Sequence, residues 1–336
     1  MAVMALLPTL ILLLLGEGGV RIWFASSHLR VYQASALWQL ARGVVHRPPT
    51  GGRTVLFEPL ARSDPLLGYV CRPGVHEILI DRGSAQLRFR ATIGDDGFRI
   101  TGPPRRFPPS TPRLWLMGCS YTWGFGVSDE ETFAWILQRD LDGFRVENLS
   151  CNGYGTTQGW LLMRAAFERR RPVPALAVIV YNLFHLERNV AAADYIRALN
   201  GAGEAFGKSG AFYPQARLEG GALRVVPIPL FQPLHPVAMA PPASPVDTTI
   251  ALFRDMRRMA DQMHTRLLVA FQSGPDDDPV IAFARRTGLP VVDIRVNIAA
   301  RGGALYSNLP FDSHPNALAH QSYAAALYAK IRSIVH

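Results

Sequence analysis

Leu114-Trp115-Leu116-Met117-Gly118-Cys119-Ser120 decides how this chain is read. Its apolar run is too short for a helix and describes a strand buried on both faces. Gly118 and Cys119 then break the run in a tight turn that lifts Ser120 off the strand end. Working outward, apolar or alternating runs recur at 113–118, 144–149, 176–181, 266–271 and 290–294. Helical spans at 130–141, 157–170, 246–264 and 278–287 separate them, and a last one covers 316–334. Phe133, Ile136, Leu137 and Leu141 share one face of the first span. Near-continuous apolar strands alternating with helices predict an α/β fold, a parallel sheet covered on both sides. Ligands of such sheets sit outside the carboxyl ends of the strands. Ser120, Gly153 and Asn182 each fall just past a strand end, as a shared active edge requires.

The flanks of this core read differently. Residues 26–45 read as a helix, with Leu29, Tyr32, Leu37 and Leu40 near helical spacing. Residues 54–101 hold short strands, among them Ile78-Leu79-Ile80 and Leu87-Arg88-Phe89-Arg90-Ala91-Thr92, with a turn at Asp95-Asp96-Gly97. Gly/Pro-rich zones at 46–53 and 102–112 mark edges between units. The expected organisation is therefore a segment 1–24, then 25–110 as a helix plus a small β-rich preface. A main domain 111–336 follows, with a Gly/Pro-rich insertion at about 185–245 over the active edge.

Val3 to Leu15 is continuously apolar apart from Pro8 and Thr9. The run is shorter than the roughly 20 residues that cross a bilayer, and counting on to Phe24 places Glu17 inside it. The start carries no Lys or Arg, and Ala25-Ser26-Ser27 is a poor cleavage site. An uncleaved single-pass anchor in the cytoplasmic membrane is the preferred reading; a cleaved signal and a buried core helix are the alternatives. Arg21, Arg30, Arg42 and Arg47 all follow the apolar run, which by the positive-inside rule would hold the body in the cytoplasm.

With 49% hydrophobic and 18% charged residues, the 336-residue chain has the composition of a folded protein and not of a disordered one. The net charge of +9 suits anionic partners. The basic residues are scattered, however, and no nucleic-acid motif or Lys/Arg run interleaved with aromatics appears, so no nucleic-acid partner is expected. Cys71, Cys119 and Cys151 are too few and too far apart in sequence for a disulfide framework or a CxxC metal site. Cys119 and Cys151 each end a strand and read as small buried fillers, the alternative being that they meet at the active edge.

One constellation contains all the parts of a reaction. A serine hydroxyl needs a base to take its proton, and the base must be held in one tautomer. His314 is the candidate base, and Asp312, two residues earlier, can reach the other imidazole nitrogen from a turn. Negative charge developing on a substrate carbonyl oxygen needs preorganised donors. The backbone N–H groups of Ser120 and of Gly153, in Asn152-Gly153-Tyr154-Gly155, are two candidates, and the Asn182 side-chain amide is a third.

The order of these blocks resembles the SGNH (GDSL-type) hydrolase superfamily, in its membrane-anchored bacterial branch. The matching stretches are Leu116 to Val127, Glu130-Glu131-Thr132-Phe133, Asn148 to Gln158, and Asp312-Ser313-His314-Pro315-Asn316. Upstream, Asp64-Pro65-Leu66-Leu67-Gly68-Tyr69, Pro73-Gly74 and Asp96-Gly97-Phe98-Arg99 look like the preface of that branch. The N-terminal apolar segment ending in Glu17 and Arg21 looks like its anchor. The resemblance implies a flavodoxin-like three-layer α/β/α sandwich and hydrolysis or transfer of an ester-linked acyl group. Ser120 would be the nucleophile, His314 the base, Asp312 its partner and Gly153 an oxyanion donor, with no cofactor and no metal. The substrate class implied is an acyl ester on an envelope glycan or lipid, which places the body outside the cytoplasmic membrane, against the arginine flank.

Three departures from the family pattern stand out. Gly-Asp-Ser is Gly-Cys-Ser here, and Asp-x-x-His is Asp-x-His. In the third block the family's Asn-Asp pair falls on Phe184-His185, leaving Asn182 as the nearest amide. Two other classes stay open. A metal hydrolase would need His185, His314 and His320 together, but His314 and His320 are six apart and no His-Glu-x-x-His motif is present. A non-catalytic glycan- or lipid-binding protein would keep the fold without the rate. A carboxamide within reach of the Ser120 hydroxyl marks the enzyme; an apolar Phe184 wall there marks the binder. Trp123, Phe125, Tyr154 and Trp160 near the edge read as packing or as sugar-stacking rings.

Overall fold

The structure is a computed structural model and describes residues 53–56, 59–83, 85–201, 203, 210–231, 244–296 and 305–335. The apolar segment 1–24 and the helix read over 26–45 lie outside the described residues. Among the described residues no helix is long and apolar enough to cross a membrane.

The preface consists of β1 (Arg53–Leu56), the hairpin β2 (Ala61–Asp64) and β3 (Gly68–Cys71), and the longer hairpin β4 (Gly74–Asp81) and β5 (Gln86–Ile93). β1, β4 and β5 form an antiparallel sheet in the order β1-β4-β5. Ile78 and Ile80 on β4, with Phe89, Ala91 and Ile93 on β5, alternate with more exposed residues and give the sheet one buried face. Arg99 bridges Ile93 on one side and Asn148 of the main sheet on the other. The described residues form one compact unit.

The main body runs β6 (Arg113–Met117), α1 (Ser120–Trp123), a 3-10 turn at Asp129–Glu131, α2 (Phe133–Asp140), β7 (Arg145–Asn148), α3 (Thr156–Phe167) and β8 (Leu176–Asn182). After β8 come α4 (His185–Asn189), α5 (Ala193–Gly201), and the hairpin β9 (Phe212–Glu219) and β10 (Ala222–Pro229). The chain closes with α6 (Pro245–Met263), β11 (Arg266–Ser273), α7 (Pro279–Arg286), β12 (Val291–Asp293) and α8 (Ala317–Val335). The five strands β12-β11-β8-β6-β7 pair in that order, all parallel. Ranked by sequence the order is 2-1-3-4-5, the flavodoxin-like arrangement, and the order reverses between β6 and β8. Ser120 leaves β6 at that switch point.

The sheet's two faces explain why its strands read as continuous apolar runs. Leu114, Leu116, Val178, Val180, Leu268 and Ala270 face the helical layer of α2 and α8, where Phe133, Leu137, Tyr323 and Leu327 complete the core. The alternate residues face α3 and α6. Met117 meets Gly159 of α3, where a β-carbon would come within 3.2 Å of the Met117 Cβ. Tyr181 packs edge-on against Phe253 of α6 at 5.8 Å. Each Leu or Val buried in this way contributes about 1.5–3 kcal/mol.

Helix starts follow local chemistry. Ser244 accepts the N–H of Asp247 ahead of Pro245, and Asp278 accepts those of Val280 and Ile281 ahead of Pro279. The stretch 185–245 is more than an irregular insertion. α4 and α5 line the sheet edge, and the β9–β10 hairpin packs beside β3, with Gln215 donating to the Val190 carbonyl at 2.7 Å.

Candidate active site

Ser120 opens α1 directly after β6. Cys119 is extended (φ −115°, ψ −155°), and its carbonyl accepts the N–H groups of Thr122 and Trp123 at 3.0 and 2.8 Å. Gly118 has no alternative here: a β-carbon would lie 2.0 Å from Thr122 Oγ1 and 3.2 Å from Val180 Cβ. The turn is thus wound tightly enough that only a missing side chain fits, and the Ser120 hydroxyl is carried to the sheet edge.

A fully buried guanidinium fixes the loop that follows. Arg99 Nε donates to Asp129 Oδ1 at 2.8 Å, Nη1 to the Trp123 and Gly124 carbonyls at 3.1 and 2.7 Å, and Nη2 to those of Arg90 and Val127 at 2.8 Å each. Asp129 also accepts the Thr92 N–H, tying the preface to the 3-10 turn. The Asp96-Gly97-Phe98-Arg99 motif therefore serves the serine loop directly, a role its sequence did not announce.

His314 arrives from the opposite end of the chain. Its Nε2 lies 2.9 Å from Ser120 Oγ, and its Nδ1 hydrogen-bonds Asp312 Oδ1, which also accepts the His314 backbone N–H at 2.6 Å. The short turn works because Asn308 accepts the N–H groups of Phe311 and Asp312 and donates its own to the His314 carbonyl. Asn316 Oδ1 then caps α8 by accepting the Ala319 N–H. From the preface, Arg82 Nε holds the Phe311 carbonyl at 2.8 Å. Burial would raise the Asp312 carboxyl. The His314 hydrogen bond and charge, its backbone N–H and Arg82 outweigh that and hold it below the usual carboxylate value. An ionised Asp312 keeps the proton on Nδ1 and leaves Nε2 free to accept from Ser120.

Cys119 is no rival nucleophile. Burial pushes its thiol up, and it sits below the surface against the Asn182 amide at 3.6 Å. Cys119 and Cys151 are both buried, as the filler reading has it, and Cys151 faces Cys71 across 3.2 Å.

Gly153 has φ +82° and sits in the turn after β7, beside the Ser120 loop, where Asn148 Nδ2 donates to the Thr122 carbonyl at 3.0 Å. A β-carbon at Gly153 would come within 2.6 Å of the Tyr69 hydroxyl. Its carbonyl accepts from the Tyr195 and Tyr213 hydroxyls. Its N–H finds no acceptor among the described residues. The N–H of Ser120, opening a helix, has no intrahelical acceptor either.

Asn182 does not fit the role expected of it. One amide hydrogen goes to Gln272 Oε1 at 2.9 Å and the other to Cys119 Sγ, while its oxygen accepts from Ser273 Oγ at 2.8 Å. The side chain is wholly buried and its donors are spent on β11 and Cys119. Phe184 packs edge-on against Tyr121 at 5.4 Å, and Tyr121 against His314 at 5.2 Å. Phe125 covers the same imidazole at 4.8 Å. Burial raises the Tyr121 phenol to about 12, so it remains neutral. His185 and His320 lie elsewhere, the first against Tyr181 and Phe184, the second against Phe133 and Tyr323.

Comparison of the sequence with protein-family models and with curated proteins finds no match. Among solved structures, the fold is similar to a member of the lipolytic protein G-D-S-L family from Veillonella parvula, at 11% identity over 65% of this chain and 96% of that one (TM-score 0.39). It is also similar to the psychrotrophic esterase EstA of Pseudoalteromonas sp., at 14% identity over 66% and 98% of the two chains (TM-score 0.39). A third is the acetyl xylan esterase Axe2 of Geobacillus stearothermophilus, at 14% over 66% and 95% (TM-score 0.38).

Proposed function

We propose that the chain is a serine-dependent ester hydrolase of SGNH type that removes or transfers an O-acyl group. The carrying observation is the hydrogen-bonded line Ser120 Oγ, His314 Nε2, His314 Nδ1, Asp312 Oδ1. His314 Nε2 takes the Ser120 proton as Oγ attacks the ester carbonyl carbon, and Asp312 stabilises the imidazolium. The carbonyl oxygen becomes an oxyanion facing the N–H groups of Ser120 and Gly153. Collapse of the tetrahedral intermediate expels the alcohol, which takes the proton from His314 and leaves an acyl ester on Ser120. His314 then deprotonates the acceptor: water completes hydrolysis, and a sugar hydroxyl completes transfer.

With Asn182 committed elsewhere, the site offers backbone donors without a carboxamide. A missing oxyanion donor costs about a hundred- to thousand-fold in rate, so slow turnover belongs to this reading. The Phe184 wall supports a second reading, a glycan- or lipid-binding protein that kept the fold. Hydrolysis of short-chain p-nitrophenyl esters and of O-acetylated glycans separates the two. Turnover by the wild type that Ser120→Ala and His314→Ala both lose supports the esterase; none on any ester leaves the binder.

The cellular setting is part of the same proposal. The apolar segment 1–24 would tether the chain to the cytoplasmic membrane, with the body on its outer side near O-acylated envelope glycans or lipids. Cleavage of the body by protease added to intact spheroplasts supports this placement. Protection until the membrane is broken contradicts it.

A further inference from the structure

Arg188 is a half-buried cation that no carboxylate meets among the described residues. Its Nη1 donates to the Tyr154 carbonyl at 3.0 Å, and its guanidinium lies 4.3 Å over the Phe184 ring and 5.2 Å over that of Tyr195. Arg72 and Arg82, likewise half-buried, donate to the Ala61 and Phe311 carbonyls, but Arg99 pairs with Asp129, Arg113 with Glu147, and Arg295 with Asp276 and Asp293. No such partner reaches Arg188 among the described residues. Glu187 is exposed and Asp194 pairs with Arg197. The titratable groups around it, Tyr195, Cys119, Tyr213 and Tyr69, are all raised by burial and neutral at pH 7. A desolvated cation without a counter-charge is costly unless a ligand supplies one. Its place is informative: Phe184 touches Tyr121, which touches His314, and Tyr154 follows Gly153.

We propose that Arg188 is an anion subsite of the Ser120 cleft, and that the ester substrate carries a carboxylate or phosphate close to its acyl group. This rests on the esterase reading. The guanidinium fork suits a planar bidentate anion better than an ammonium would. The test measures kcat/KM on two matched pairs: O-acetylated methyl glucuronide against methyl glucoside, and O-acetylglycerol phosphate against O-acetylglycerol. The wild type favours the charged member of one pair by about tenfold or more, the worth of one charge-assisted pair. Arg188→Gln brings that ratio to near one, and Arg188→Lys falls between. A wild-type ratio near one in both pairs overturns the subsite. So does an equal loss on charged and neutral esters in Arg188→Gln, which would assign Arg188 to the reacting oxygen or to the fold. If no ester turns over, the esterase reading fails by itself, and calorimetric titration of unesterified methyl glucuronide and glycerol phosphate then decides. Binding lost in Arg188→Gln keeps the subsite; no binding to the wild type removes it.

A second observation stands independently. Cys71, at the end of β3, and Cys151, two residues before Gly153, are both buried, with their sulfurs 3.2 Å apart. We infer that they close to a disulfide when the chain folds in an oxidising compartment. A protein or glutathione disulfide accepts the two electrons: one thiolate attacks it to form a mixed disulfide, and the second displaces the remaining thiol. The Cys71–Cys151 bond forms, and the two protein thiol protons pass to the donor's sulfurs, which leave as two thiols. The bond would lock the β2–β3 hairpin to the Gly153 turn, which Tyr69 already holds through the Asn152 carbonyl at 2.9 Å. Alkylation of the denatured full-length chain after refolding with glutathione disulfide tests it. One alkylated thiol, Cys119, and a linked Cys71–Cys151 peptide support the inference. Three alkylated thiols, or a bond involving Cys119, overturn it. The peptide map needs only the wild type.

Discussion

Arg99 and Asp129 form a wholly buried ion pair, Nε to Oδ1 at 2.8 Å, that joins the β-rich preface to the loop following Ser120. Burial by itself would lower the guanidinium's affinity for its proton, and Asp129 counters this. All the N–H directions of the fork are used on Asp129 and on the carbonyls of Arg90, Trp123, Gly124 and Val127. The preface is thereby a structural part of the serine site.

Removing one partner leaves a bare buried charge, which costs about 3–5 kcal/mol. Arg99→Met is expected to lower the melting temperature sharply and to reduce ester turnover beyond what the lost stability explains. Arg99→Lys is not expected to rescue it, because an ammonium cannot replace the planar fork. Thermal denaturation with activity measured well below the transition checks both statements; a Lys variant equal to wild type would contradict them.

Gly118→Ala tests the tight turn. The added β-carbon falls 2.0 Å from Thr122 Oγ1, so the Ser120 turn must open or Thr122 must move. An overpacking cost of about 1–3 kcal/mol is expected, together with a fall in kcat larger than any change in KM. Steady-state kinetics at saturating ester would detect it.

Asp312→Asn removes the carboxylate that orients His314 and supports its charged form. By analogy with other serine–histidine–aspartate sites, a drop of about ten-thousand-fold in kcat is expected with little change in fold. Circular dichroism alongside single-turnover kinetics separates the two effects.

Acid is expected to destabilise the chain from two directions that agree in sign. Burial holds His320 at about 3 against an ordinary 6.5, and holds His185 well below its ordinary value. The unfolded state therefore binds protons that the folded state refuses, and stability is lost progressively as pH falls below the ordinary histidine value. Asp312, depressed in the folded state, contributes stability above the unfolded carboxylate value that is lost as pH falls through its folded one. Melting temperature against pH should begin to fall near the ordinary histidine value. His320→Asn, which can still accept the Phe133 N–H, should flatten part of that slope.

Much of this site was legible in the sequence because its parts are local. The strand runs read at 113–118, 144–149, 176–181, 266–271 and 290–294 appear at 113–117, 145–148, 176–182, 266–273 and 291–293. Buried parallel strands are written as apolar runs, and a Gly-x-Ser turn or an Asp-x-His pair keeps its meaning without its neighbours. The missed features are all tertiary. Asn182 lost its expected role to Gln272 and Ser273 of the adjacent strand, which no local motif reveals. Cys151 found Cys71 because β3 folds back beside the Gly153 turn. Arg99 read as one residue of a motif, although its carbonyl partners lie as far on as Val127.

Peptide mapping after reaction with a fluorophosphonate tests the central claim most directly. The hydroxyl at position 120, activated by His314 at 2.9 Å, should be the residue phosphonylated, and Ser120→Ala should remain unlabelled. A wild-type chain that takes up no label, or a label that persists on another residue in Ser120→Ala, would contradict it.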